Sequence, residues 1–357
     1  MGSLPDPTTK TLLDALTSTT RVDYDGNDQQ LITLFPDQTF TDMTSNQAIV
    51  FGELAKPHHA TVLIDSCRLA QNLVEQGVEG AKGRDIAAVA VDLAGITLAK
   101  AILPHLKQHG LVHAQTSVAA ANSCSETVAH GLALVKLFNH MDIPTARVCL
   151  KVPATIEGLR ACAELERQGI NTLATVVFTV EQALAGAQAG CRYVATYVNP
   201  LHVHFKPGTH IEKGLHGLEG WQVLTVAQQT IKQRGLKRTS MMAASLVTIP
   251  EAVSLAGLNC STISPALLAL CHSTPLTAEL EQQVGDSQRH YLSSPAAPED
   301  LDCNVETEVG AKNVATAIED NERVKALIKE ALDIFGQFEM DLMANARECL
   351  SKIGEGH

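Results

Sequence analysis

Aromatic residues are scarce in this chain: Phe, Trp and Tyr make up 4% of 357 residues, with a single Trp. Ala, Leu and Val dominate instead, the small and branched residues that alternating strand–helix folds use in quantity. Basic residues are also in deficit, 27 Lys and Arg against 39 Asp and Glu, a net charge of -12. Nucleic acid and anionic membrane surfaces both select basic patches, so neither is expected as a partner. No apolar run reaches the length of a membrane span. The start, MGSLPDPTTK, lacks a basic segment followed by an apolar one, and Asp6 stands where a myristoylation signal needs Ser or Thr. CxxC pairs are absent and the nine cysteines are odd in number and scattered, which suits reduced thiols rather than a disulfide framework. Gly-rich phosphate loops are absent too. Together these expectations describe a cytoplasmic enzyme acting on a small molecule, with no cofactor.

What is present is a rhythm. Hydrophobic residues amount to 45% and charged residues to 18%, ample for one large core, and the whole of 1–357 is expected as a single domain. Strands are expected at 147–153 (RVCLKVP), 172–178 (TLATVVF), 193–199 (YVATYVN), 239–245 (TSMMAAS) and 260–264 (CSTIS). Helical patterns lie between them at 155–167, 180–189, 219–234 and 249–257, with Gly169, Gly190, Gly235 and Gly257 at the joins. Residues 21–25, 44–50 and 111–117 supply three earlier strands, with a helix-rich insert at about 57–108. The repeat argues for a parallel sheet with crossover helices, either a closed (β/α)8 barrel over about 20–275 or a doubly wound sheet. Residues 285–305 are rich in Ser, Pro and Asp and are expected as a loop. Residues 311–352 form a helical tail, with two roles open: a cap on the barrel mouth, or a subunit interface in a homodimer.

In a barrel, catalytic groups project from the C-terminal ends of strands, and every second residue faces inward. That places Cys149, Lys151 and Pro153 on one face of the fourth strand. Lysine is rarely buried without a use. Burial would disfavour its ammonium form and leave an amine able to attack a carbonyl; the bland alternative is a lysine that reaches out to water. The same alternation offers Asp23 and Asp25, His113, Gln115 and Ser117, Leu173, Thr175 and Val177, and Ala195, Tyr197 and Asn199. A carboxylate, an amide, hydroxyls and a lysine in one barrel could hold a water and move protons around an imine. His202 and His204, with His210 nearby, form an H-x-H arrangement, but no carboxylate or Cys adjoins them to complete a metal site, and no metal is expected.

The stretch 147–201 resembles the transaldolase family. The family's K-[IVL]-[PA]-[AS]-T-x-[EQ]-G sequence is matched by Lys151-Val152-Pro153-Ala154-Thr155-Ile156-Glu157-Gly158, and its EGIN-x-x-x-T segment by Gln168 to Thr175. Thr44-Ser45-Asn46 matches a T-[TS]-N motif, and 243–257 and 261–268 resemble the seventh and eighth strand regions. The likeness runs from about residue 11 to about 345. It implies a (β/α)8 TIM barrel and a class I aldolase. By resemblance Lys151 forms the imine with a ketone, Asp25 is the acid/base on the substrate hydroxyl, Asn46 and Thr44 contact the donor, Thr175 helps hold the catalytic water, and Ser245 lies near the phosphate site.

The departures from that pattern carry information. Gln115 stands where transaldolases have a glutamate, Tyr197 where they have phenylalanine, Ala195 where they have serine and Leu173 where they have asparagine. All four resemble the fructose-6-phosphate aldolase branch, in which Gln, Thr and Tyr surround the water. Pro200 and Val247 stand where the family carries basic phosphate-gripping residues, and Lys206 and Lys213 in the following loop could compensate. The expected activity is Schiff-base aldol chemistry on a non-phosphorylated ketone or aldehyde. The alternatives are an ordinary transaldolase moving dihydroxyacetone between sugar phosphates, another imine-dependent reaction such as dehydration or cyclisation, and a non-catalytic descendant.

Overall fold

The computed structural model describes residues 10–213, 217, 220–292 and 294–355. Eight parallel strands close into a barrel in sequence order. They are β1 (Arg21–Asp25), β2 (Met43–Thr44), β3 (Val112–Gln115), β4 (Val148–Pro153), β5 (Asn171–Val177), β6 (Tyr193–Tyr197), β7 (Ser240–Ala244) and β8 (Cys260–Ile263). Closure comes from β1 pairing with β8, Arg21 beside Cys260 and Tyr24 beside Ile263. Of the two sheet architectures left open by the alternating pattern, the structure is the closed one.

The helices are α1 (Leu12–Thr19), α2 (Gln29–Ile32), α3 (Gln47–Leu54), α4 (Val62–Glu75), α5 (Ile86–Ile102), α6 (Cys124–His140) and α7 (Ile156–Arg167). There follow α8 (Val180–Gln188), α9 (Trp221–Gln233), α10 (Ile249–Ser254), α11 (Pro265–Ser273), α12 (Ala278–Leu292), α13 (Glu308–Glu319) and α14 (Glu322–Glu355). Many start on a side-chain cap just past a strand end. Thr155, Thr179, Thr248 and Ser264 each accept a backbone N–H from the first turn of the helix that follows. Gly169 and Gly190 close α7 and α8 with φ of +78° and +86°, a conformation costly for any residue with a Cβ.

Both faces of β4 are buried. Leu150 and Val152 pack outward against the helices, while Cys149 joins Leu173, Ala195 and Met242 inside the barrel. Two-sided burial is why the strand reads as one apolar run interrupted only by Lys151.

Several expectations are corrected. The strand at 44–50 shrinks to Met43–Thr44, and Gln47–Leu54 is helix; a short run such as Ala48-Ile49-Val50 fits either state by periodicity. The loop expected from 285 starts later, because α12 continues to Leu292. Val177 turns outward, since a bulge between Ala174 and Val177 breaks the alternation of β5. Ser117 lies beyond β3, where its N–H donates to His130 Nδ1. A stretch long and apolar enough to cross a membrane does exist, at 86–105. Here it is largely α5, whose Ala87, Ala90, Leu93 and Ile102 are fully buried and which packs against α4, α6 and α14.

The helical tail lies over the C-terminal end of the barrel. Val324, Leu327, Ala331 and Phe335 of α14 join Val176, Phe178, Tyr197 and Leu201 in one apolar cluster. Glu339 accepts the N–H of Val118, and Glu330 accepts the N–H of His202 and faces its Nδ1 at 2.9 Å. Of the two roles left open for the tail, these contacts are those of a cap.

Candidate active site

A cavity of about 180 Å³ opens at the C-terminal end of the barrel, with Lys151 in its lining. Asp25, Thr44, Asn46, Leu173, Ala195, Tyr197 and Ser245 line it. Eight of the eleven candidate residues thus meet in one space, contributed by six of the eight strands or the turns that follow them. Lys151 sits between Gln115 and Leu173 in the strand register.

Lys151 is 5% exposed, and among the described residues its ammonium forms no ion pair. Burial pushes its pKa below the ordinary lysine value, opposed only by the nearby charge of Asp25. The amine form of such a group is more accessible near neutral pH, which is what attack on a carbonyl requires.

The other side chains are held in place by the fold. Thr44 Oγ1 donates to Asp25 Oδ1 at 2.6 Å and also lies against Thr262 Oγ1. Asn46 is the N-cap of α3: its Oδ1 accepts the Ile49 N–H at 3.0 Å, which fixes the amide and leaves its N–H groups for the cavity. Thr175 and Tyr197 are both buried, their hydroxyls 3.2 Å apart. Burial pushes the Tyr197 pKa well above the ordinary phenol value, so it stays a donor. Ser245 holds a positive φ of 67° and bonds to His204 Nε2 at 2.8 Å. A non-glycine residue in that region is uncommon and marks a conformation imposed by its surroundings.

Three candidates lie outside this cavity. Gln115 is buried in an adjoining space of about 70 Å³ that shares Asn46 as a wall, and neither of its amide atoms has a protein partner. Thr175 reaches the cavity only through Tyr197. Asn199, expected to bind substrate, is committed elsewhere: its Nδ2 donates to the Ser245 carbonyl and to Glu251 Oε1. That is a correction with a clear cause, since a buried amide spends its donors on the nearest acceptors.

Three further residues shape the site, of which only His204 stood out in the sequence. His204 and Phe205 line the cavity from the turn after β6. Glu251, 1% exposed, accepts from Asn199, Val247 N and Thr248 N and faces His210 at 3.0 Å. It thereby fixes the chain after Ser245. Its signal was present as a capping box, Thr248 with Glu251 three residues on. The H-x-H pair is split: His202 turns to Glu330 and His204 to Ser245.

Phosphate is an anion and needs a cation or a set of N–H donors. Among the described residues the cavity lining contains one cation, Lys151, and no arginine. Pro200 and Val247 do not line it, and neither do Lys206 and Lys213.

A buried lysine facing a carboxylate and hydroxyls inside a barrel is the equipment of a carbonyl-condensing enzyme. The family model described as transaldolase/fructose-6-phosphate aldolase matches residues 22–344, and the chain belongs to that family. A transaldolase of Gloeobacter violaceus is 30% identical over 280 residues, 78% of this chain and 69% of the relative. A transaldolase of Synechocystis is 28% identical over 295 residues, 82% and 70% of the two chains. Transaldolase B of Pasteurella multocida is 27% identical over 340 residues, 90% of this chain and all of the relative. The protein is accordingly a transaldolase-like aldolase.

Proposed function

We propose that the chain is a Schiff-base aldolase for a non-phosphorylated carbonyl substrate. The observation that carries this reading is the cavity itself, which has one buried lysine and no second cation among the described residues. A phosphorylated substrate would bring two negative charges into a site whose one cation among the described residues, Lys151, is committed to the imine, at a desolvation cost that binding would have to overcome.

In this reading Lys151 attacks the ketone to give a carbinolamine, and loss of water gives the imine. The imine withdraws electrons, so a carbon–carbon bond beside it forms or breaks through an enamine. Asp25 takes or returns the proton of the substrate hydroxyl, held ready by Thr44. Tyr197, bonded to Thr175, donates to the oxygen that leaves as water or to the enamine carbon through a water. Asn46 and Ser245 with His204 bind hydroxyls of the substrate. Gln115, with both amide atoms unpartnered, holds water beside Lys151. Leu173 and Ala195 set an apolar floor. The presence of Tyr197 and Gln115 together favours direct aldol reaction over transfer between sugars.

The test is borohydride trapping with a panel of small ketones, dihydroxyacetone and hydroxyacetone among them, read by mass spectrometry. An adduct on Lys151 that Lys151→Ala lacks supports the reading, and absence of any adduct would defeat it. Robust turnover of fructose 6-phosphate with erythrose 4-phosphate would instead identify an ordinary transaldolase.

A further inference from the structure

We propose that Glu53, His58 and His59 form a binding site for a divalent transition-metal ion of the zinc type, at the corner between α3 and α4. None of the three lines the lysine cavity, so the site is independent of the aldolase reading.

Glu53 lies in the last turn of α3, and His58 and His59 follow in a single 3-10 turn that opens with Pro57. One ligand atom from each residue can be chosen so that all lie within 4.8 Å of one another. The Glu53 and His59 side chains are 9% and 10% exposed, and Glu53 Oε2 stands 3.5 Å from His59 Nε2. Both atoms are buried, and neither has a hydrogen-bond partner. A direct hydrogen bond between them would be roughly 2.7–3.2 Å long. Two ligands of a tetrahedral ion with bonds of about 2.0–2.2 Å are separated by roughly 3.4 Å. The gap is thus too wide for a hydrogen bond and close to the edge of a metal tetrahedron.

The surroundings orient the carboxylate for this use. Lys56 Nζ donates to the other oxygen, Glu53 Oε1, at 2.7 Å and to Asp28 Oδ2 at 2.5 Å. The bond fixes the carboxylate plane, as outer partners do for ligands in metal sites. Asp28 also offsets the charge of Lys56, so the carboxylates and the lysine together keep one net negative charge for a cation. His58 is exposed and its ring centroid lies 4.2 Å from that of His59. It supplies the third ligand and the path of entry, and water completes the coordination. Two imidazoles with one carboxylate suit zinc, cobalt or nickel rather than calcium or magnesium.

The experiment is a titration of chelator-treated full-length protein with Zn2+ by calorimetry, repeated with Co2+ and read by visible absorption. One ion per chain is expected, with affinity lowered at least about tenfold by His58→Ala and lost in Glu53→Gln. His58 is on the surface, so that variant folds whatever the fate of Glu53→Gln, whose fold is checked by circular dichroism. A His202→Ala/His204→Ala variant is expected to bind as the parent does. Three results would overturn the proposal: no binding tighter than millimolar, an affinity unmoved by His58→Ala, or loss of the ion in the His202/His204 variant.

Discussion

The barrel buries cations at both ends, and it treats them in opposite ways. At the bottom, the part-buried Arg21 is held through its two terminal guanidinium nitrogens. It donates to Asp23 at 2.7 Å and to the Tyr193 hydroxyl at 3.0 Å, lies 3.8 Å from Asp42, and stacks over the Tyr193 ring at 4.5 Å. Asp42 accepts the Leu111 N–H and faces His113 Nε2 at 3.1 Å. At the top, Lys151 is the more deeply buried of the two but has no ion pair among the described residues, and Asp25 is held by Thr44 instead of by the lysine. Only the bottom cluster satisfies the rule that buried charges are paired. Paired charges hold strands together, whereas an unpaired lysine is free to react.

That contrast is broken most directly by exchanging what each end loses. Lys151→Ala is expected to abolish borohydride-trapped adduct completely while leaving the urea midpoint equal to or above that of the parent, because it removes a charge with no partner. Arg21→Met is expected to cost about 3–5 kcal/mol in urea unfolding, since it strands the Asp23 and Asp42 carboxylates. Its folded fraction should still trap the ketone. If Arg21→Met spared stability, or Lys151→Ala cost as much, the two ends would not differ as described. Tyr197→Phe sharpens the upper end. Removing its hydroxyl is expected to slow turnover by about 10²-fold or more, within the range for a proton-transferring group, with trapping at equilibrium retained.

The two ends were unequally legible in the sequence. Lys151 stands out because a cation inside VCLKVP breaks an apolar run, Asp25 is offered by strand alternation, and Thr44, Asn46 and the role of Asp25 come with the family resemblance. Asp23 was read as one more inward carboxylate, although the alternation that carries Asp25 to the mouth carries Asp23 two residues deeper, where Arg21 waits. Asp42 has no local signal, because its partners Leu111 and His113 are far away in sequence, and Arg21 joins the neighbouring Asp23 to the equally distant Tyr193. Strand periodicity specifies a face but not a depth or a partner. The same limit explains Asn199, whose acceptors, Ser245 and Glu251, belong to another strand end. The bulge that turns Val177 outward has Val176 at φ +61°, a conformation that no propensity would assign to a β-branched residue.

The smallest expected effect distinguishes the ends by pH. Asp23 is fully buried beside Asp42, and burial pushes its carboxyl up to about 7, against the pull of Arg21. Two carboxylates share one guanidinium, so one of them keeps its proton longer. Between about pH 4 and about 7 the native state therefore holds a proton that the unfolded chain has released. Stability from this group is present at low pH and is lost as pH rises through about 7, at no more than about 1.4 kcal/mol per pH unit. Lys151 has the opposite sign. Its native pKa is lowered, so between that value and 10.5 the unfolded chain holds the extra proton, and stability rises with pH. Asp23→Asn retains an oxygen to accept the Asp42 N–H but cannot titrate. The difference in urea midpoint between parent and Asp23→Asn should fall from pH 5 to pH 7, whereas that between parent and Lys151→Met should move the opposite way, in favour of the parent as pH rises towards 10.5. A difference for Asp23→Asn that stays flat from pH 5 to pH 7 would mean that Asp23 is ionised throughout, and that Arg21 pairs both carboxylates equally.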